Sequence, residues 1–480
     1  MLTARHCLVL TCLLLLAPEA WGRRPAPRCA VTPPLRTAPL VTRGDPIRAL
    51  PPGRPGRLVV GVMGSAANEA TIPLEVRGRL ERLGQHIAHR GHVVLTGACP
   101  GMPEVTARAA KQAGGFTAGI SPARSLREHT GRFHSPTAGL DVIQMTGSGA
   151  GMGLIAREKQ NIKSSDILVF AGGRSGTLGE ILFAMQEPKV IALLEDSTGV
   201  TSKFKQQILP IVGRGRGVIV SDRDPVRLMR KAEQAHRRLK QRGRTGGLLG
   251  ALAGGLRGSP RHRRGHEPTL VAGKSAVTEA TTRDHNVYTF FGTTRGMSSA
   301  DRAKVMTLVD RIAKDRTGGR QPLLVTPVRR GLASTVARAA RERGVPTVGI
   351  SSASTGGAIT GRGKPRKMFD TIQLTGEGEG VGQVSAYRHG IERSDVVFVA
   401  GGDHRTLGGT VFAMYQPTVV AVLETGGMSG KLRSDILSTF NKPAHATMIY
   451  DSDPVRLYNK AVRAAEKMRH TVKTEYIAPE

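Results

Sequence analysis

The sequence predicts an α/β protein made of two tandem doubly wound parallel-sheet domains, and three observations carry that prediction. From residue 58 onward, short β-rich runs alternate with helical stretches, the pattern of parallel strands joined by crossover helices. The pattern then repeats: Asp166 and Asp395, Thr177 and Thr406, and the Asp-Pro-Val-Arg-Leu phrases at Asp224 and Asp453 all lie 229 residues apart. Glycines gather where strands hand over to helices, and in such sheets that is where ligands bind.

In chain order, residues 58–63 read as a buried strand that stops at Gly64-Ser65, and residues 76–90 as an amphipathic helix. Residues 92–95 form the next strand, and residues 103–112 a helix opened by Pro103. Strands follow at 116–120 and 141–145, then a helix at 152–164 behind the run Gly147-Ser148-Gly149-Ala150-Gly151-Met152-Gly153. The strand 166–170 feeds a Gly172-Gly173 turn and a helix that begins near Thr177. Strands 190–194 and 218–220 complete the sheet, and Asp224-Pro225 caps and opens the last helix. The second half repeats the order, which makes both halves Rossmann-like.

This gives five segments: 1–22, 23–57, a first domain at 58–240, a basic flexible linker at 241–284 and a second domain at 285–472. Residues 1–22 have the form of a secretory signal, an apolar run after Arg5-His6 that ends in small residues. Residues 23–57 are rich in proline and arginine with Asp45 as their single acid, as in an extended tail or the second part of an organelle address. The expected location is therefore outside the cell, or an organelle such as a plastid reached through the secretory route. The linker is rich in Gly, Arg and Ser; a short helix at 248–256 would have to overcome its glycines.

A net charge of +33 favours polyanion partners, but aromatics make up only 4% of the chain, too few for a base-stacking platform, so no specific nucleic acid is expected. No apolar run is long enough for a transmembrane anchor. Of four cysteines, Cys7 and Cys12 lie in the signal, and Cys29 with Cys99 can build neither a metal site nor a disulfide framework.

The chemistry points to the strand ends of the first half. At Ala171-Gly172-Gly173-Arg174-Ser175-Gly176-Thr177 a strand stops, a helix starts, and backbone N–H groups converge with the positive helix end, which suits an anion. The Thr177 hydroxyl adds a donor. Gly64, Ser65, Thr96 and Gly97 end the neighbouring strands and fall in the same crevice. Arg157, one turn into its helix, and Glu180, early in the helix after the glycine turn, are the charged candidates beside it.

Residues 58–240 resemble the LOG (Lonely Guy) phosphoribohydrolases and the molybdenum-cofactor carrier proteins. The shared phrase is Pro-Gly-Gly-x-Gly-Thr-x-x-Glu behind a helical arginine, matched by Gly172, Gly173, Gly176, Thr177, Glu180 and Arg157, with Ala171 for the proline and Glu158 for the usual lysine. The resemblance implies hydrolysis of the N-glycosidic bond of a nucleoside 5′-monophosphate to free base and ribose 5-phosphate. Arg157 and Glu180 would be catalytic; Gly64, Ser65, Thr96, Gly97, Gly172, Gly173, Gly176 and Thr177 would hold the phosphorylated substrate. No metal or cofactor is called for. The carrier relatives imply the alternative, a protein that binds a nucleotide or molybdopterin-type cofactor without turnover.

The second half lacks these features: Gly409 stands for Glu180, Arg405 for Gly176 and Ala386 for Arg157. His404 and Arg405 leave it an anion-binding or regulatory role. Because such proteins pair as dimers, the two halves are expected to form an internal pseudo-dimer, or the chain to assemble as a homo-oligomer.

Overall fold

The computed structural model describes residues 39–43, 56–66, 68–149, 153–253, 269–272, 283–329, 331–353, 368–376, 388–439 and 445–475. The signal expected at 1–22, most of segment 23–57, Gly151, Met152 and Ala386 lie outside the described residues.

The first half holds an eight-stranded sheet whose strands all run parallel: β1 (Leu40–Thr42), β2 (Val59–Gly64), β3 (Val93–Thr96), β4 (Phe116–Ser121), β5 (Val142–Met145), β6 (Ile167–Ala171), β7 (Val190–Leu194) and β8 (Val218–Asp222). Their order across the sheet is β1-β5-β4-β3-β2-β6-β7-β8, so the direction of winding reverses between β2 and β6. The helices are α1 (Leu74–His89), α2 (Met102–Gln112), α3 (Leu126–Gly131), α4 (Gly153–Ser164), α5 (Ser175–Ala184), α6 (Gly199–Lys203), α7 (Leu209–Val212) and α8 (Pro225–Ala253). Strand β6, Ile-Leu-Val-Phe-Ala, is buried along its whole length, as a strand covered by helices on both faces must be.

The second half repeats the sheet with β9 (Thr269–Ala272), β10 (His285–Thr293), β11 (Gln321–Pro327), β12 (Thr347–Ser351), β13 (Thr371–Leu374), β14 (Val396–Gly401), β15 (Val419–Leu423) and β16 (Thr447–Asp451). Read in the opposite direction its order is β9-β13-β12-β11-β10-β14-β15-β16, strand for strand that of the first sheet. The ion cluster of Asp222 with Arg227 and Lys231 recurs as Asp451 with Arg456 and Lys460. Two doubly wound α/β domains are therefore present in tandem.

Two segments differ from the expected boundaries. Helix α8 runs through the start of the expected linker to Ala253, and Thr269–Ala272 inside that linker pairs in parallel with β13. Likewise Leu40–Thr42, inside the expected tail, pairs with β5. Leu40 and Thr269 are themselves 229 apart, so the duplicated unit begins with this edge strand. Both strands are too short for hydrophobic alternation to reveal them, and the glycines of α8 weaken helical propensity without outweighing an amphipathic helix already under way.

Residues 36–480 form one compact unit. Within it, α5 packs on its counterpart, the helix His404–Ala413, and one apolar core containing Leu178, Leu182, Phe183, Leu407, Val411 and Phe412 runs through both halves. Leu178, Ile181, Leu182 and Phe183 of α5 are buried because the helix packs against both its own sheet and the second half.

Candidate functional site

A cleft of about 500 Å³ opens at the carboxyl ends of β2, β3 and β6, where the winding of the first sheet reverses. Gly64, Ser65, Gly97, Arg157, Gly176, Thr177 and Glu180 line it, so most of the residues singled out in the sequence meet there. Cys99, Glu158 and Arg174 join them, as do Val411, Phe412, Tyr415, Gln416 and His445 from the second half.

Three of the expected contacts do not line the cleft. Gly172 and Gly173 adopt φ of +61° and +91°, conformations that favour glycine, but they build the turn from beneath. The Gly172 N–H donates to Ser197 Oγ at 2.9 Å and Thr201 Oγ1 at 2.8 Å, and the Gly173 carbonyl accepts from Val200 N–H at 2.9 Å. Sequence alone could not show that the segment from Ser197 to Thr201 supplies these partners, because the contact spans more than twenty residues. Thr96 is buried, and its hydroxyl accepts from the Ala98 N–H at 3.1 Å, fixing the turn that carries Gly97 and Cys99.

The phrase itself differs from the LOG pattern in spacing. Two residues, Arg174 and Ser175, separate Gly173 from Gly176 where that pattern has one. Arg174 takes the N-cap position of α5 with no side-chain capping bond, and Ser175 opens the helix. The first-turn N–H groups of α5 thus have no side-chain acceptor at the cap, beside the cleft residues Gly176 and Thr177.

On the facing wall, Arg157 from α4 lays its guanidinium over Gly97, where an added Cβ would come within 3.3 Å of Arg157 Cζ. Its Nη1 donates to the Gly97 carbonyl at 3.4 Å, and its Nη2 lies 3.7 Å from Glu158 Oε1. Burial, together with the charge of neighbouring Glu158 and against the pull of Arg157, pushes the Glu180 carboxyl up to about 8. Glu158 is pushed up to about 7, by burial chiefly, again against Arg157. The two carboxyls are coupled to each other beside the Arg157 guanidinium, and burial holds both above the ordinary carboxylate range. Burial also raises the Cys99 thiol, with Arg157 pulling the other way.

The corresponding helix start in the second half is capped by its own side chain. Asp403 replaces Arg174 at the N-cap and accepts the N–H groups of Arg405 at 3.0 Å and Thr406 at 3.2 Å. The Arg405 side chain crosses to the first half and donates from Nε to Gln186 Oε1 at 3.0 Å. His404 is buried, which lowers its pKa and favours the neutral ring, so it is poorly suited to holding an anion. Arg388 pairs with Glu392 at 2.6 Å. The helix end expected to bind an anion there has a built-in carboxylate. Among the described residues there is no cluster able to hold a metal ion, and no helix long and apolar enough to cross a membrane.

Fold and site together define a duplicated α/β protein whose first half holds a cleft that residues of the second half also line. Residues 57–223 match the model of the SLOG cluster4 family. An uncharacterized protein of Archaeoglobus fulgidus is 31% identical over 137 residues, covering 28% of this chain and 79% of that protein. The chain belongs to the SLOG cluster4 family. Among solved structures, it is similar to the molybdenum cofactor carrier protein of Chlamydomonas reinhardtii (26% identity, 37% of this chain and 99% of that one, TM-score 0.29). It is also similar to the molybdenum cofactor binding protein of Rippkaea orientalis (27% identity, 37% and 98%, TM-score 0.28).

Proposed function

We propose that the cleft of the first half binds a nucleoside 5′-monophosphate and hydrolyses its N-glycosidic bond. The observation that carries this is the meeting of an uncapped helix end with Arg157, Glu158 and Glu180 around one cleft. The first-turn N–H groups of α5 and the Thr177 hydroxyl receive the phosphate, and Arg157 fixes the ribose edge and the acids. Cleavage of the bond between C1′ and the base nitrogen leaves positive charge on the sugar, which a carboxylate stabilises. The proton shared by Glu158 and Glu180 passes to the departing base nitrogen, and water adds its oxygen to C1′ and returns its proton to the acid pair. The products are free base and ribose 5-phosphate.

The test is incubation of the full chain with the common nucleoside 5′-monophosphates and chromatographic measurement of released base. Release from at least one of them, lost in Glu180→Gln with binding retained, is expected. No release from any of them removes the hydrolase reading.

A second reading draws on the same acid pair. A retained proton leaves little negative charge to stabilise a sugar cation, which suits a carrier for a phosphorylated nucleotide or a molybdopterin-type cargo. The cleft volume lies in the usual range for such ligands. Co-purification of an ultraviolet-absorbing ligand, without turnover, would favour it.

We also propose that the two halves act as an internal pseudo-dimer, on the strength of the packing between α5 and its counterpart.

A further inference from the structure

Positions 186 and 415 are counterparts in the duplication, yet they hold Gln186 and Tyr415 and face opposite surroundings. Gln186 accepts from Arg405, a side chain that crosses from the second half. Tyr415 points the other way across the boundary, into the open cleft, where its hydroxyl lies 2.6 Å from Ser175 Oγ at the start of α5. Nothing intervenes, because the residue next to Ser175 is Gly176: a Cβ added there would already sit 3.5 Å from the Tyr415 oxygen. The ring is half-buried, and burial raises its pKa, with Glu158 and Glu180 adding to the effect, so the phenol stays protonated and able to donate.

We propose that the second half, having lost its own site, supplies Tyr415 to the cleft of the first as a ligand-contacting residue whose hydroxyl, with Ser175, donates to the phosphate of a phosphomonoester. This rests on the phosphorylated-ligand reading above and adds to it that the site is built from both halves. Without ligand, the two hydroxyls satisfy each other. When phosphate reaches the first turn of α5, each can turn a proton toward its oxygens, so the pair becomes two donors to one dianion. A tyrosine fixed on a packed domain holds that geometry at little entropic cost.

The experiment uses the full chain and its Tyr415→Phe and Ser175→Ala variants, titrated calorimetrically with 5′-AMP, the other nucleoside 5′-monophosphates, ribose 5-phosphate and adenosine. Tyr415→Phe keeps the ring and should melt like the wild type. The expected result is a loss of about ten- to hundredfold in affinity for whichever phosphorylated probe binds, with a comparable loss in Ser175→Ala, and no change for adenosine. Equal affinity of wild type and Tyr415→Phe for a phosphorylated probe overturns the proposal and leaves the ligand class standing. An equal loss for adenosine overturns it too, since Tyr415 would then act through packing. If no phosphorylated probe binds the wild type, the ligand class falls and the proposal falls with it.

Discussion

Phe183 and Phe412 occupy the same position of the two repeats and meet each other, with ring centroids 5.5 Å apart and planes tilted by 44°. Contact between equivalent residues is what the proposed internal pseudo-dimer requires. Both rings are almost fully buried, and Phe412 also forms part of the cleft wall. The packing that joins the halves therefore shapes the site as well.

Replacing either ring tests that connection. Phe183→Ala and Phe412→Ala should each cost about 3–5 kcal/mol of stability, measured by chemical denaturation. A double-mutant cycle should give a coupling on the order of 1 kcal/mol between them. Strict additivity would show that the rings contribute through their own domains alone.

The second half suggests how to block the cleft of the first. Gly176→Arg installs the residue found at position 405, and the backbone at Gly176 permits it, because the added Cβ meets Tyr415 only at ordinary contact distance. The long side chain would lie in the cleft. Affinity for a phosphorylated probe should fall at least about tenfold while the melting temperature changes little. Unaltered binding would place the ligand elsewhere.

The acid pair makes a prediction about pH. With Glu180 pushed up to about 8 and Glu158 to about 7, the folded chain holds protons that the unfolded chain releases near the ordinary carboxylate value of 4.5. Their contribution to stability therefore falls as pH rises from about 5 to about 8. Glu180→Gln removes one buried charge and eases Glu158, so it should be more stable than wild type at pH 8 by on the order of 1–3 kcal/mol, and close to it at pH 5. Thermal melts at the two pH values measure the difference. A variant less stable at pH 8 would show that Glu180 is a satisfied anion.

Much of this was legible in the sequence, and the limits have a common cause. The parallel sheets follow from runs such as residues 190–194 between helical stretches, and the duplication from a constant spacing. Arg157, Glu180 and Thr177 could be named because they lie at strand and helix ends that a parallel sheet brings together. Tyr415 and His445 carry no such local signal, because they reach the cleft only across long separations: Tyr415 is 240 residues from Ser175. The substitution of Glu158 for lysine was the one available signal, and it marked the acid pair. Gly172 shows the same limit, since Ser197 and Thr201 reach it only in the folded chain.

The N-cap of α5 offers the most discriminating test of where an anion sits. Asp403 gives the second half an internal carboxylate that accepts two first-turn N–H groups, while Arg174 leaves the equivalent cap without a side-chain bond. Arg174→Asp transplants the capped arrangement into the open site. The new carboxylate would bond the N–H groups of Gly176 and Thr177, stabilising the ligand-free chain by about 0.5–2 kcal/mol, and would repel phosphate from the same place. Arg174→Ala removes the cation without adding the cap and separates the two effects. Calorimetry with 5′-AMP and thermal melts should show a modest loss of affinity in Arg174→Ala with no gain in stability, and a much larger loss in Arg174→Asp with a higher melting temperature. Equal losses in the two variants would mean that the arginine charge alone draws the ligand, and that the helix end takes no part in holding it.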